Sequence, residues 1–176
     1  VVGTAVPQPV QQTVLLLGPN HRGEGAGLSL SDAAAWRTPL GDVPAAPDLV
    51  DELLRAGAGL RLDARAHRDE HSLEVILPFL QAARADVSVV CLSLGEPVLE
   101  ACLGAGRAVA RAVTALESRG RRVALVVSSD LSHYLPRDEN RRQDDRALDA
   151  LLGGDPAELF ARVLLRERIS MCGVLP

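Results

Sequence analysis

Three continuous apolar runs constrain the fold of this chain more than any other feature. They cover residues 13–17 (TVLLL), 87–94 (VSVVCLSL) and 123–128 (VALVVS), and each contains β-branched residues. A strand with one face in water alternates apolar and polar residues, whereas a strand covered on both faces stays apolar throughout. The three runs therefore predict central strands of a sheet that carries helices on both faces.

Amphipathic segments of helical length lie between and after these strands. They cover residues 47–56, 70–84, 97–119, 139–152 and 156–166. Pro78 implies that the second of these helices either kinks or begins late. Residues 27–30 and 36–43 are candidates for shorter, irregular strands. Parallel strands need a long crossover connection, which is usually a helix, and here helices alternate with strands. We therefore predict an α/β fold: a three-layer αβα sandwich with a largely parallel central sheet and mixed pairing at an edge.

The length of the chain is that of one domain. Its 176 residues are enough for a sizeable core but not for two ordinary domains, so we predict a single domain over residues 1–176. The chain starts at Val1 without a methionine and stops at Pro176, where an apolar segment begins. We expect a fragment that is truncated at both ends.

Composition argues against several classes of function. The net charge of −4 gives nucleic acid or an anionic membrane no electrostatic reason to bind. All 19 basic residues are arginine, which excludes Schiff-base chemistry on lysine. The sequence has no apolar run of about 18 residues, so we expect no membrane span. Three cysteines without a C-x-x-C pair fit a reducing compartment, and we predict a cytoplasmic protein.

Polar side chains follow two of the predicted strands, at the edge where α/β sheets bind their ligands. Gly-Pro-Asn-His, which ends at His21, follows the first run, and residues 128–134 (SSDLSHY) include the end of the third. We interpret His21 as a metal ligand, with a loop residue that caps backbone groups as the alternative. Asp130 and His133 could form a ligand pair, an acid/base pair or an Asx turn.

The sequence contains two kinds of candidate nucleophile. Ser128 or Ser129, with Asp130 and His133, has the residue types of a hydrolytic triad, but no G-x-S-x-G elbow surrounds either serine. Cys172 precedes a glycine at a predicted loop-to-helix junction, where a thiolate could bind metal or act as a nucleophile. The other two cysteines, at positions 91 and 102, are predicted to be core residues.

Residues 67–71 (HRDEH) match H-x-x-E-H, in which two histidines one helical turn apart bind zinc and the glutamate activates water. However, Asp69 is a strong helix-start signal, because its carboxylate can cap the amides that follow. His67 would then lie before the helix and could not share a helical face with His71. A zinc hydrolase that uses His67, Glu70 and His71 is therefore the least favoured hypothesis.

Five motifs occur together and in a fixed order. They are residues 18–21 (GPNH), 36–42 (WRTPLGD), 70–74 (EHSLE) with 77–79 (LPF), 128–134 (SSDLSHY) and 170–173 (SMCG). In this set and order the chain resembles the Memo family, in particular the bacterial members called AmmeMemoRadiSam system protein B. The resemblance covers residues 21–173. It implies the fold of the class III extradiol dioxygenases, whose B-subunit-like domain binds non-haem iron.

The resemblance implies a set of metal ligands. Memo proteins are expected to bind metal through a histidine of a Pro-His-Ala-Gly segment, the histidine of Gly-Pro-x-His and the cysteine of a late Cys-Gly pair. His21 and Cys172 occupy the second and third of these positions. The first ligand would come from a segment upstream of Val1. Iron is the expected metal, with copper or zinc as alternatives, because a thiolate makes the site softer than the two-histidine, one-carboxylate iron site of the dioxygenases.

The resemblance also implies residues of the surrounding cleft. His71, Asp130 and His133 match family positions that line the same cleft, in which the dioxygenase relatives keep an acid/base histidine, so we expect catalytic roles for them. A neutral histidine at such a position can take the phenolic proton of a catechol. Four further residues are expected to line the same cleft: Asn20, Glu70, Glu74 and Tyr134.

Three functions remain open at this point. The first is a non-haem metal-dependent oxidoreductase of the extradiol dioxygenase type, the second a non-enzymatic metal-binding or peptide-binding module, and the third the zinc hydrolase. The expected ligand of the cleft is a small molecule or a peptide, and neither nucleic acid nor membrane is expected to bind. The resemblance further implies functional association with radical-SAM and AMMECR1-type proteins, and a homodimer is a further expectation.

Overall fold

The computed structural model describes residues 12–176, and helices and strands alternate through most of this range. The strands are β1 (Gln12–Pro19), β2 (Leu28–Leu30), β3 (Ala35–Thr38), β4 (Gly41–Pro44), β5 (Arg61–Leu62), β6 (Val87–Leu94) and β7 (Val123–Val127). The helices are α1 (Pro47–Ala56), α2 (Leu77–Ala83), α3 (Leu99–Glu117), α4 (Arg137–Leu152) and α5 (Pro156–Phe160). The three long apolar runs are strands, as predicted.

The central sheet has five strands in the order β5-β2-β6-β1-β7. Strand β1 lies parallel to both β6 and β7, whereas β2 pairs antiparallel with β6 and parallel with β5. This confirms a largely parallel sheet with mixed pairing at one side. The segment predicted to contain irregular strands forms a separate antiparallel hairpin of β3 and β4.

Helices α1 and α3 cover one face of the sheet. Successive side chains of a strand point to opposite faces, so Leu15 and Leu17 of β1 share the face on which Leu49 and Leu53 of α1 pack. The sheet-facing side of α3 is lined by small residues such as Ala108, which let the helix approach closely. Burial of these apolar side chains stabilises the layer by about 25 cal/mol per Å² of surface removed from water.

The opposite face of the sheet is covered by α2 and by the β3-β4 hairpin. Val14 and Leu16 of β1 pack there with Val43 of the hairpin and Leu77 of α2. Layers of helix or hairpin therefore lie on both sides of the sheet, which confirms the three-layer α/β sandwich. A smaller core joins α4, the segment that follows α5 and the final residues through Ala147, Val163, Ile169 and Met171.

The prediction of one helix over residues 70–84 is wrong in its first half, whereas the late start that Pro78 implied is confirmed. Residues 70–73 are not helical, and a 3-10 turn at Glu74–Ile76 leads into α2, which begins at Leu77. Pro78 lies in the first turn of α2, the place where a residue without an N–H is tolerated in a helix. Upstream of Pro78, the predicted helix start at Asp69 is absent. The Glu70 carboxylate there accepts hydrogen bonds from the amide of Ser72 and from the amide and ring of His21.

The C-terminal helical segment also differs in part from its prediction. Helix α5 begins after Asp155, whose carboxylate accepts hydrogen bonds from the amides of Ala157 and Glu158. After Phe160 the backbone widens into a π-helical segment, Ala161–Arg166, instead of continuing as an α-helix. Within residues 12–176, no helix combines the length and the apolar character that crossing a bilayer requires.

Candidate metal centre

The carboxyl ends of β1 and β7 meet at one edge of the sheet, here called the rim. Strand β1 ends at Pro19, just before Asn20 and His21, and β7 ends at Val127. The two strands are parallel neighbours, and the amide of Ser128 donates to the carbonyl of Leu17 at 2.8 Å. The loops that hold His21 and residues 128–134 therefore leave the sheet side by side, as the sequence predicts.

Glu70 binds His21 on the β1 side of the rim. Its Oε1 lies 2.8 Å from His21 Nδ1, and its Oε2 accepts the His21 amide at 2.5 Å. Oε1 also accepts the amide of Ser72 at 2.9 Å, and the Ser72 hydroxyl donates to the Pro19 carbonyl. Because an ionised carboxylate only accepts hydrogen bonds, Nδ1 of His21 carries the proton in this arrangement.

These contacts keep Glu70 ionised although it is buried. Burial opposes the charged form and raises the pKa, but the hydrogen bonds from the His21 ring and from the amides of Ser72 and His21 outweigh it. Together they lower the pKa of Glu70 from its ordinary 4.5 to about 2. A buried anion with several N–H donors is thus fixed beneath the loop that holds His21.

His71 completes a group of three potential metal-binding side chains. Its ring stacks on that of His21, with ring centroids 4.9 Å apart and an angle of 17° between the planes. His71 Nδ1 lies 3.6 Å from Glu70 Oε1. One potential ligand atom from each of His21, Glu70 and His71 lies within 4.8 Å of the others. The sequence predicted Glu70 as a residue of the cleft wall or, in the zinc-hydrolase hypothesis, as the residue that activates water, but not as the partner of His21. The acid adjacent to His71 in the EHSLE motif was the available signal for that role.

Cys172 lies on the β7 side of the rim, against Asp130. The Asp130 amide donates to Cys172 Sγ at 3.0 Å, and the Cys172 amide donates to the Asp130 carbonyl at 3.3 Å. A 3-10 turn at Cys172–Val174 begins here and contacts β1 as well. Gly173 packs so closely on Ser129 that a β-carbon at this position would overlap the serine side chain.

His133 is held mainly by the backbone of the same region. Its Nδ1 lies 2.6 Å from the carbonyl of Ser170, and its amide donates to Ser170 Oγ at 2.7 Å. Nε2 lies 3.4 Å from Asp130 Oδ2, a long contact. Both ring nitrogens thus face oxygen acceptors, and both contacts are hydrogen bonds only when both nitrogens carry protons.

Other predicted site residues have different surroundings. The Asn20 side chain closes its own loop, accepting from the Gly23 amide at 2.9 Å and donating to the Glu24 carbonyl at 2.8 Å. Glu74 is exposed at the start of the 3-10 turn that precedes α2. Tyr134 is fully exposed, with its backbone at a φ of 60°.

The geometry that a zinc hydrolase would require at residues 67–71 is absent. His67 ends a separate 3-10 turn, Ala64–His67, and its Nε2 lies 3.1 Å from the carbonyl of Ser29. Its ring meets Trp36 edge to face and does not belong to the group around His21. The two histidines of the HRDEH motif therefore do not share a helical face, and the prediction of separation was correct even though its helix start at Asp69 was wrong.

The candidate serine triad is also not assembled. Ser129 Oγ donates to the Asp130 carbonyl at 2.8 Å and accepts the Gly173 amide at 3.0 Å, so it is engaged with backbone groups. Cys91 is a core residue as predicted, and burial raises the pKa of its thiol to about 12. Cys102 is half-buried and donates to the Glu96 carbonyl.

Fold and site together define a class: an α/β protein with a possible metal-binding group of two imidazoles and a carboxylate beyond the carboxyl end of β1. The thiol of Cys172 is not a member of this group and lies against Asp130. Comparison with known families specifies the class further. Residues 4–176 match the family described as Memo-like protein. The chain belongs to the Memo family.

Named relatives agree with this assignment. Proteins called MEMO1 family protein from Pyrobaculum arsenaticum and Methanococcoides burtonii are each 37% identical to the chain, over 163 and 169 residues. A third, from Methanocaldococcus jannaschii, is 37% identical over 172 residues. The alignments cover 93%, 96% and 94% of this chain but only 57%, 61% and 58% of the three relatives. The chain thus spans about three fifths of the length of these proteins.

Proposed function

We propose that the rim binds a transition metal through His21 Nε2 and the Cys172 thiolate, and that the metal serves oxidation of a small catechol-like molecule by dioxygen. The hydrogen bonds between buried Glu70 and His21 are the observation that carries this proposal. Both the metal and the reaction are proposed for the whole protein, in which other residues would supply the further metal ligands.

The contacts of Glu70 determine which nitrogen of His21 is available. With the proton on Nδ1 and donated to the carboxylate, the lone pair of Nε2 is free, and Nε2 has no hydrogen-bond partner among the described residues. Metal-binding histidines commonly donate their other ring N–H to a carboxylate in this way, which fixes the tautomer and makes the ligand more basic. We therefore assign Glu70 the role of orienting His21, because its own oxygens already accept three N–H groups.

The donor set fits a soft or borderline metal. The Asp130 amide donates to Cys172 Sγ, which fixes the position of the sulfur at the β7 side of the rim. Imidazole with thiolate suits copper, zinc and iron better than magnesium or calcium. When bound, a redox-active ion would supply coordination positions at which a catecholate and dioxygen can meet.

Two histidines of the chain could handle the proton of the substrate. His71 is exposed at the rim and stacked on His21, so one of its nitrogens could take a phenolic proton from a catechol. His133 is the second candidate, with Nδ1 toward the Ser170 carbonyl and Nε2 toward Asp130 Oδ2. In the proposed reaction one ring C–C bond breaks and both atoms of dioxygen enter the product, so no further reductant is needed.

Metal binding without turnover is a second candidate function. The side chains of His71 and Asp130 are 61% and 78% exposed, so the described residues do not shield them from water. Exclusion of water strengthens the electrostatic effects on which catalysis depends. Open access to the rim therefore favours a binding role for the part of the protein described here.

Calorimetric titration of the purified chain with ferrous iron under anaerobic conditions, and with cuprous ion, tests the metal site. We expect His21→Ala and Cys172→Ser each to weaken binding by at least tenfold, as loss of a ligand requires. His67→Gln is the matched control, because this histidine lies outside the site, and it should bind as the unchanged chain does. A thiolate-to-metal absorption band with cupric ion should disappear in Cys172→Ser only. Unchanged affinity in both ligand variants would refute the site.

Oxygen uptake distinguishes the two candidate functions. The iron-loaded protein is mixed with catechol, protocatechuate and homoprotocatechuate, and oxygen consumption is followed with an electrode. Uptake that is lost in His71→Ala while iron still binds supports the oxidoreductase. Tight metal binding without uptake across the panel supports the binding function instead.

A further inference from the structure

Tyr134 combines a strained backbone with an exposed aromatic ring, and it follows His133 on the β7 side of the rim. Its φ of 60° lies in a region that bulky L-residues rarely adopt. Among the described residues other than glycine, only Ala58 and Arg168 share a positive φ. The side chain of Tyr134 is also fully exposed, so its ring gains nothing from burial. Packing within the described part of the chain therefore does not explain the strained backbone.

The segments on both sides of Tyr134 hold it in this conformation. His133 is bonded twice to Ser170, through its amide and through its ring. On the other side, Pro136 restricts Leu135 to extended backbone and leads directly into α4. Strained residues persist only where the surrounding structure enforces them, and they cluster at sites that bind ligands. The strain at Tyr134 thus indicates a role in binding rather than in packing.

The ring of Tyr134 is positioned beside the ring of His133. The two ring centroids are 5.7 Å apart and the planes are tilted by 41°, which lies within the range of interacting aromatic pairs. His133 Nε2 faces Asp130, whose amide donates to Cys172 Sγ. Because the Tyr134 ring is fully exposed, a second aromatic ring can stack on it, next to the side chains that we assign to the metal and to the proton of the substrate.

We propose that Tyr134 recognises the aromatic ring of the substrate, which stacks on it on the β7 side of the rim while the substrate hydroxyl groups face the metal. This inference rests on the function proposed above, and it adds the side chain that favours an aromatic substrate over a saturated diol. Stacking adds affinity only for a ligand with a π-system. The ring of Tyr134 is needed for this role, whereas its hydroxyl is not.

Fluorine NMR observes the stacking directly. Tyr134 is the only tyrosine of the chain, so incorporation of fluorotyrosine gives a single signal. The labelled chain is loaded with zinc, which has no redox chemistry, and is titrated with catechol. We expect the signal to move until the site is saturated, because the ring current of a stacked catechol acts on it. Cyclohexanediol, which has the hydroxyl groups without the aromatic ring, should leave the signal in place.

Calorimetry with the zinc-loaded chain separates the ring of Tyr134 from its hydroxyl. Tyr134→Ala should weaken catechol binding by roughly threefold to tenfold, the contribution of one aromatic pair, and Tyr134→Phe should keep the affinity within about twofold. Phe79→Ala is the matched control, because Phe79 is 73% exposed on α2 and lies in neither loop of the rim. Equal losses of affinity in Tyr134→Ala and Phe79→Ala would overturn the proposal.

Thermal unfolding distinguishes a binding role from a structural one. Asparagine tolerates a positive φ better than tyrosine, so Tyr134→Asn should raise the melting temperature by about 2–4 °C and weaken catechol binding as Tyr134→Ala does. Arg168→Asn is the backbone control, because Arg168 has a φ of 52°. It should raise the melting temperature without changing the affinity. A lower melting temperature in Tyr134→Asn would mean that Tyr134 stabilises the fold, and it would overturn the proposal.

The outcomes also separate this proposal from the metal site. A zinc-loaded chain that binds catechol without movement of the Tyr134 signal would overturn the stacking and leave the metal site standing. If the chain does not bind zinc, the metal site fails, and the metal-free chain is titrated instead. Stacking alone should then still move the signal, at higher catechol concentrations. Absence of movement in that titration would overturn the stacking as well.

Discussion

The two sides of the rim hold the same residue types in different ways. On the β1 side, the carboxylate of Glu70 is only 1% exposed and accepts bonds from the ring and amide of His21. On the β7 side, the carboxylate of Asp130 is 78% exposed, and His133 is held chiefly by the backbone of Ser170. An acid beside a histidine is therefore a structural anchor in one case and a surface contact in the other.

The difference shows that the two sides depend on different interactions. A hydrogen bond to a charged group contributes more when it is buried, because removing one partner leaves the other without water. The β1 side depends on such bonds. The β7 side depends on close backbone packing, above all at Gly173, where the final segment meets Ser129. Substitutions matched across the rim can test this comparison.

The largest effect is expected from adding a methyl group at the two close contacts. In Gly173→Ala the new β-carbon would overlap Ser129 and lie 2.8 Å from the Ser128 carbonyl, which is backbone and cannot rotate away. We expect a loss of about 3 kcal/mol in the free energy of unfolding, at the upper end of the range for overpacking. Urea denaturation followed by circular dichroism measures it.

Gly18→Ala is the counterpart on the β1 side and should cost less, about 1–2 kcal/mol. Its β-carbon would meet Leu73 Cδ2 at 2.7 Å and Ser72 Oγ at 2.9 Å, which are both side-chain atoms that can shift. A larger loss for Gly18→Ala than for Gly173→Ala would contradict the view that the contact at Gly173 is the more rigid of the two.

Next in size is the loss of charge at the two acids. Glu70→Gln should reduce the free energy of unfolding by about 1.5–3 kcal/mol, because it removes charged hydrogen bonds at a buried site. Asp130→Asn should change it by less than about 0.5 kcal/mol, since that carboxylate is exposed. Equal losses in the two variants would mean that burial does not distinguish the two sides.

The same pair of variants gives a pH-dependent comparison. The folded-state pKa of Glu70 is lowered from 4.5 to about 2, so the stabilisation is fully present above pH 4.5 and is lost as the pH falls through 2. Stability measured between these pH values should decline less steeply in Glu70→Gln than in the unchanged chain. Asp130→Asn should retain the steeper decline, and a profile unchanged by Glu70→Gln would count against the low pKa.

The smallest effect concerns thiol reactivity. Cys172 lies at the rim, whereas burial raises the pKa of the thiols of Cys91 and Cys102. A thiol reagent added to the folded chain should therefore modify Cys172 first and Cys91 only on unfolding. Peptide mapping by mass spectrometry identifies the order, and Cys172→Ser should remove the fast phase. Rapid modification of Cys91 would contradict its place in the core.

Periodicity in the sequence predicted most of the fold but only part of the site. The apolar runs and α1 were predictable because local patterning and core burial favour the same structure there. The segment 70–76 was not, because a long-range interaction, the bonding of Glu70 to the loop of His21, replaces the local helix signal of Asp69. The role of Glu70 was also not predictable, because its partner His21 is distant in sequence. The positions of His21 and Asp130 at strand ends were predictable from the order of the strands alone.

The position of β1 between two strands has a consequence for motion. β1 is hydrogen-bonded along both edges, to β6 and to β7, whereas β7 is bonded to β1 alone among the described strands. Local opening should therefore occur more often at β7 than at β1, and with it at the loop that holds Asp130. A ligand that joined His21 to Cys172 would connect a region that opens rarely to one that opens often. It would slow hydrogen exchange at β7 and leave exchange at β1 nearly unchanged.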